Sequence, residues 1–357
     1  GRKSDQQNFY TQQMAFIFEP IKDWTINVEG NLVTSYQNTH SVILPIYNHD
    51  VNGDSYAASW SGSYAPGYSS VSDYNYKQDY FATNIYSNYI KSWGDHNFSF
   101  LAGFNAELKK YKTDSGYGED LISSSTPYLS QTQSNFTAGG GTAEYSVAGF
   151  FGRINYNYKE RYLLELNGRY DGSSRFVRGK RWGFFPSMSI GWNIAKEDFF
   201  QNWTKIFTTL KPRFSVGQLG NQSTSNWYPF YQTMSTGSQS GKWLVDGAKT
   251  NTAYMPGIVS NSLTWETIES WNWGLDWALL NNRLTGSFDT YIRYTKDMVG
   301  PAPTLASVLG TSAPSVNNCN LKSNGWELEV SWRDHIRDFS YGVKLVLSDY
   351  TTKVTKY

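Results

Sequence analysis

Asp50, Asn52 and Asp54 stand at alternate positions of a polar stretch, the spacing with which short loops wrap a calcium ion in side-chain oxygens. The glycine precedes the last acid, however, and the closing glutamate of such a loop is replaced by Ser61. A solvated turn is therefore the ordinary reading, with the three residues kept as a candidate metal site. His40, His49, His96 and His335 are scattered without metal-ligand spacing, and Cys319, the single cysteine, excludes a disulfide within the chain. The nucleophile-elbow, zinc-protease and phosphate-loop signatures do not occur. Glu266 and Glu269 could form a carboxylate pair, although two acids entering a strand do not define glycosidase geometry. Neither an enzyme nor a cofactor is expected.

Aromatic side chains carry the better chemistry. Trp60, Tyr64, Tyr68, Tyr74 and Tyr76 fall in one polar stretch, and Trp227, Tyr228, Tyr231, Trp243 and Tyr254 in another. Flat rings stack on sugar faces or peptide side chains at low conformational cost. The same rings could instead pack loop against loop or form a docking surface for a partner. The run DGSSRF, Asp171 to Phe176, offers Asp171 and Arg175 as ligand contacts. Its ordinary reading is a hydrogen-bonded network at a strand end.

The elements that would position these residues are strands. From Arg161, Tyr162, Leu164, Leu166, Gly168 and Tyr170 alternate with Glu165, Asn167, Arg169 and Asp171. A period of two puts the sets on opposite faces. The pattern recurs where Phe150, Ile154 and Tyr156 alternate with Arg153 and Asn155, and where Trp271, Trp273, Leu275 and Trp277 alternate with Asn272, Gly274 and Asp276. About twelve such strands are expected, most close to the 9–11 residues of a tilted membrane strand. Their connections alternate in length. Short turns are expected at 20–23, 92–95, 158–161, 281–283 and 334–338, with a longer one at 196–208. Long loops are expected at 36–79, 112–144, 172–183, 221–267 and 297–321. Short turns on one rim and long loops on the other are characteristic of outer-membrane barrels.

Composition agrees. The 357 residues include 14 Trp, 27 Tyr and 20 Phe, while charged residues are 17%, below the ~25% of ordinary globular chains. A net charge of +1 argues against nucleic acid. A mean hydropathy of -0.53 and the lack of an ~18-residue apolar run exclude a helical membrane span. A secretory leader is not recognisable at the start. A β-sandwich remains the alternative, but its outer face is usually dressed with Lys, Glu and Thr. Here Arg153, Glu165, Asn167, Arg169, Asp171 and Asp276 sit among Asn, Gly and Ser, which suits a crowded, wet lumen. Trp182, Trp192, Trp271, Trp326 and Trp332 are expected to be wall residues.

NYNYKERYLLELNGRYDGSSRF followed by RWGFFPSMSIGWNIAKEDFF resembles the signature hairpins of SusC/RagA-type TonB-linked outer membrane proteins. LTWETIESWNWGLDWALLNNRLTGSFDTYIRYTKDM is similar to a second block of that family, and LKSNGWELEVSWRD with FSYGVKLVLSDYTTKV to a third. The resemblance runs from about Tyr145 to the end. It implies an all-β, antiparallel transmembrane β-barrel of the plugged, 22-stranded kind. Residues 1–357 would supply about half of its strands, without the plug domain or the TonB box. The family imports oligosaccharides or peptides, is energised through TonB and works with a SusD-like surface lipoprotein as lid. Its setting is outer-membrane lipid. The competing functions are a soluble carbohydrate-binding or glycan-degrading β-domain and a passive porin.

Overall fold

Alternation becomes ladder along nearly the whole chain. The computed structural model describes residues 1–58, 67–224, 226–238, 245–248, 250–253, 255–300, 306, 308 and 313–357. Its strands are β1 Arg2–Ile21, β2 Trp24–Ile43, β3 Ile46–His49, β4 Ser55–Ala58, β5 Ser70–Trp93 and β6 His96–Leu121. They continue with β7 Thr132–Tyr158, β8 Tyr162–Ser173, β9 Trp182–Trp192, β10 Phe207–Asn221, β11 Thr236–Ser238 and β12 Asn251–Ala253. The last are β13 Glu266–Leu279, β14 Leu284–Gly300, β15 Val316–Ile336 and β16 Phe339–Lys356. Twelve of them form one antiparallel sheet in chain order, β1-β2-β5-β6-β7-β8-β9-β10-β13-β14-β15-β16. Two small hairpins, β3 with β4 and β11 with β12, stand in the long connections. Among the described residues no helix is long and apolar enough to cross a membrane, so any crossing falls to the strands.

The expected short turns are present; four are shorter than expected, while the one between β13 and β14 spans 280–283. Lys159, Glu160 and Arg161 join β7 to β8, the first two with φ of 52° and 53°, left-handed conformations that suit the twist of a hairpin. Between β9 and β10 the chain makes two 3-10 turns, Ile194–Lys196 and Asp198–Trp203.

Three of the expected long loops are corrected; 297–321 is shortened at each end, where β14 runs to Gly300 and β15 starts at Val316, and two others change more. The stretch 36–79 contains the end of β2, the β3–β4 hairpin and the first ten residues of β5; the stretch 112–144 is mostly ladder, with a true connection only between Leu121 and Thr132. The reason is chemical. Both faces of these extensions carry Thr, Ser, Gly, Asn and Tyr, so hydrophobic alternation is lost while backbone pairing continues.

The chain divides into two units by its internal contacts. The first comprises Gly1–Phe16, Glu29–Thr83 and Ala106–Ser146. Polar cross-strand bonds hold it: Thr34 Oγ1 donates to Asp79 at 2.8 Å, Gln37 Nε2 to Asp5 at 3.1 Å, and the Leu121 amide to Ser69 Oγ at 2.8 Å. His40 Nδ1 lies 2.5 Å from Asp73. Val42 and Val71 are its buried apolar residues.

The second unit comprises Ile17–Val28, Asn84–Asn105 and Val147–Tyr357. Its compact apolar cluster is Phe176, Phe185, Leu263 and Trp265, with Val299 against it. This cluster ties the β8–β9 connection to the stem before β13. Trp265 Nε1 donates to the Arg181 carbonyl at 2.7 Å, and the Thr264 amide to Asn317 Oδ1 at 3.0 Å. DGSSRF is part of it: Ser173 and Phe176 are each 1% exposed. Elsewhere in this unit the apolar face is bare, as at Phe150, Leu166, Phe184, Ile190, Trp273 and Leu345. No second layer of described residues covers it, whereas each sheet of a sandwich is covered by the other.

Candidate functional site

The two faces of the second unit have different chemistry. On the apolar face, rings form two rows. Near the short turns Phe98 meets Trp93 and Tyr156 at centroid distances of 5.6 and 4.8 Å, and Tyr162 meets Tyr158 and Trp192 at 6.3 and 6.4 Å. Toward the other end Phe150 meets Phe104 at 5.1 Å and Trp182 at 6.4 Å, and Tyr170 meets Trp182 at 4.9 Å. Tyr162 and Tyr170 bracket Leu164 and Leu166 on β8 over about 26 Å of strand. Such a pair of rows frames an apolar band of membrane dimensions. Trp271, Trp326 and Trp332 stand on the same face of β13 and β15, by the register that pairs Trp273 with Thr290 and Thr290 with Trp326.

The opposite face is polar and tightly cross-linked. Arg153 Nε donates to Asn167 at 2.7 Å, and Asn167 Nδ2 donates to Glu165 at 2.8 Å. Arg169 closes a fork on Asp171 at 2.8 and 3.0 Å and reaches Asn105 at 3.0 Å, while its guanidinium lies 5.3 Å from the Phe151 ring centre. Asp276 belongs to a second group. Arg213 Nε donates to it at 3.1 Å, Arg213 Nη2 donates to Asp289 at 2.6 Å, and Lys211 lies 3.9 Å from Asp276. Gly274 sits opposite Arg213 in the ladder, and a Cβ there would stand only 2.5 Å from the guanidinium carbon. Glycine is what lets Arg213 lie flat across β13 to reach β14.

Arg213, Lys211, Asp289 and Asn105 are not evident as site residues from the sequence. The strand pattern does place Asp289 on the polar side of its own strand, but the register that brings β10, β13 and β14 together is not written in any one segment. Clefts of about 580 and 530 Å³ open on this face; Asn155, Glu165, Ser189, Arg213 and Asn272 line the first, Arg153, Asn167, Arg169 and Asp171 the second.

The aromatic candidates separate. Trp60, Tyr64, Trp243 and Tyr254 lie outside the described residues. Tyr74 and Tyr76 belong to β5 rather than to a loop; Tyr76 donates to Gln78 at 2.8 Å and stacks on Tyr111 at 5.9 Å. Tyr68 precedes β5 and its hydroxyl lies 2.6 Å from that of Tyr117. Tyr228, Phe230 and Tyr231 do cluster, with Tyr231 5.8 Å from Tyr228 and 4.6 Å from Phe230. Tyr231 is 60% exposed, and neighbouring Trp227 is half-buried.

The acids weighed for chemistry have structural partners. Asp50 accepts the amides of Asn52 and Asp54 at 2.8 and 2.9 Å, capping the β3–β4 turn, and these bonds lower its pKa from the ordinary aspartate value. Among the described residues no group of three or more His, Cys, Asp or Glu could hold a metal ion. Glu266 and Glu269 do not form a pair, because an offset of three puts them on opposite faces of β13. Glu266 accepts from Asn221 at 2.7 Å and from the Val299 amide at 2.9 Å; Glu269 binds Lys296 at 2.8 Å.

At the short-turn rim, ion pairs lace neighbouring connections together. Lys159 lies 3.2 Å from Asp95, Lys196 pairs with Glu160, and Arg161 holds Glu197 at 3.2 Å and Asp198 at 2.6 Å. The Trp192 indole, above all, lowers the pKa of Glu197, and Arg161 lowers that of Asp198.

Comparison with known proteins follows the same lines. The chain is 32% identical over 279 residues to TonB-dependent receptor P3 of Formosa agariphila, covering 76% of this chain and 27% of the relative. It is 27% identical over 322 residues to TonB-dependent receptor SusC of Bacteroides thetaiotaomicron, covering 90% of this chain and 30% of the relative. The structure of the RagAB peptide importer in its open-open state superposes with a TM-score of 0.85 at 20% identity, over 100% of this chain and 37% of that one. The chain thus spans about a third of the length of these proteins, which are named as receptors and importers rather than enzymes. With the family described as TonB dependent receptor-like, beta-barrel matching residues 2–357, the chain belongs to that family and to the bacterial outer membrane.

Proposed function

We propose that the protein carrying this chain is an active importer of oligosaccharides or peptides, energised through TonB and working with a SusD-like surface lipoprotein. In this reading residues 1–357 are wall. The apolar face meets lipid, the polar face with Arg153, Glu165, Asn167, Arg169, Asp171 and Asp276 lines the lumen, and the short turns lie in the periplasm. The long loops reach outward, with Tyr228 and Tyr231 among the residues offered to substrate or lid. The observation that carries the reading is the bare apolar band between two rows of aromatic side chains, backed by a face of interlocked charge. A soluble sugar-binding module would have to hide that band.

The test is uptake. Cells carrying the intact gene should accumulate labelled oligosaccharide or peptide, and deleting either tonB or the partner lipoprotein should abolish accumulation. Uptake that continues without TonB would indicate a passive pore.

A further inference from the structure

Just beyond the apolar band, three strands present lysine on the outward face. By register Glu269 of β13 faces Tyr294 of β14, Tyr294 faces Lys322 of β15, and Lys322 faces Lys353 of β16. Lys296 shares this face, two positions past Tyr294. Two lysines directly opposite one another across a ladder repel, and sheets normally avoid that arrangement. Glu269 does not relieve it: its carboxylate is held by Lys296 at 2.8 Å and by the Trp271 indole at 2.9 Å. Lys322, flanked by β14 and β16, has no carboxylate of the described residues within ion-pair distance. Tyr294 lies beneath the group, 5.3 Å from Lys322 Nζ and 5.7 Å from Lys296 Nζ.

The height of the group identifies its counter-charge. The outward residues become polar after Trp326 on β15 and after Leu347 on β16. Lys322 and Lys353 therefore stand about 10 to 15 Å beyond the band on a tilted strand, within reach of headgroups by the flexible lysine stem. We propose that Lys322 and Lys353, with Lys296 and Tyr294, form a site for the phosphate of a lipid headgroup at the long-loop surface of the membrane. The phosphate bridges the two opposed ammonium groups, Tyr294 supports the cations from below, and the acyl chains lie along the band beneath. This inference rests on the assignment of the apolar face to lipid.

The experiment uses the intact receptor in detergent, titrated with phosphatidic acid, phosphatidylcholine or inorganic phosphate and read by native mass spectrometry. Phosphatidic acid should bind in preference to phosphatidylcholine. Lys322→Gln should weaken it about fivefold and the Lys322→Gln/Lys353→Gln double variant on the order of 30-fold. Lys322→Arg/Lys353→Arg should retain it, which separates loss of charge from loss of fold. Unchanged binding in the glutamine double variant overturns the site, and inorganic phosphate binding as tightly as the lipid overturns its lipid nature. In parallel, brominated acyl chains should quench the part of the fluorescence lost in Trp326→Phe. Absence of that quenching would refute the membrane-facing assignment itself, whereas quenching with unchanged lipid binding refutes only the phosphate site.

Discussion

Arg213 holds Asp276 and Asp289 on neighbouring strands, and its side chain is 32% exposed. Replacing it with methionine removes the cation that Asp276 and Asp289 share and leaves only Lys211 near Asp276. Arg213→Met should cost about 1–3 kcal/mol, seen as a lower melting temperature of the detergent-solubilised protein. Adding Asp276→Asn and Asp289→Asn should recover most of the loss; no recovery would mean the arginine acts through packing alone. A second residue-scale expectation concerns acid. Glu197 and Asp198 have depressed folded pKa values because Trp192 and Arg161 favour their charged forms. Their contribution is complete above the ordinary carboxylate range and fades as pH falls through the depressed values. A 5-fluorotryptophan resonance at position 192 should stay constant near neutrality and shift only below about pH 4. A shift centred near pH 6 would show that another group controls this rim.

At the scale of the element, β8 gives the sharpest contrast between faces. Leu166→Arg should impair assembly, because a cation at mid-membrane on the lipid side costs about 2–4 kcal/mol. Asn167→Ala loses the link between Arg153 and Glu165 and should cost about 1 kcal/mol. Heat-modifiable migration on a gel reads both, and equal effects would contradict the assignment of faces. β8 is also the most legible element in the sequence, since Leu164 and Leu166 alternate with Glu165 and Asn167 without interruption. The upper ends of β6 and β7 are illegible for the opposite reason: where Thr113, Ser115 and Gly139 meet, neither face is greasy, and pairing leaves no periodic trace. The cluster of Phe176, Phe185, Leu263 and Trp265 is hidden for a third reason. It joins residues far apart in the chain, and only the folded connections bring them together. The fork of Arg169 on Asp171, by contrast, joins two residues already placed on one face by their spacing.

For the whole molecule, the corrected strand limits change which segment can be removed to test lid contact. Deleting residues 64–76 would cut into β5 and damage the wall. Deleting residues 46–58 removes only the β3–β4 hairpin, which pairs with itself. That deletion should leave insertion and heat-modifiability intact while weakening co-purification of the lipoprotein or uptake of substrate. Unchanged co-purification and uptake would exclude this hairpin from the outer contact.

The length of β5, β6 and β7 has one more result. β6 has 26 residues and β7 has 27, whereas a crossing needs only about 9–11. The surplus holds Lys109, Lys110 and Lys112, three trypsin targets in a row of ladder, with Thr142 Oγ1 donating to the Tyr111 carbonyl at 3.0 Å. A protease must draw its substrate out as a free strand, and these backbones are already paired. Arg178, by contrast, is exposed in the turn between β8 and β9, outside any ladder. Trypsin added to intact cells should therefore spare the lysine run long after it has cut at Arg178, so the surface resists digestion where its charge would seem to invite it.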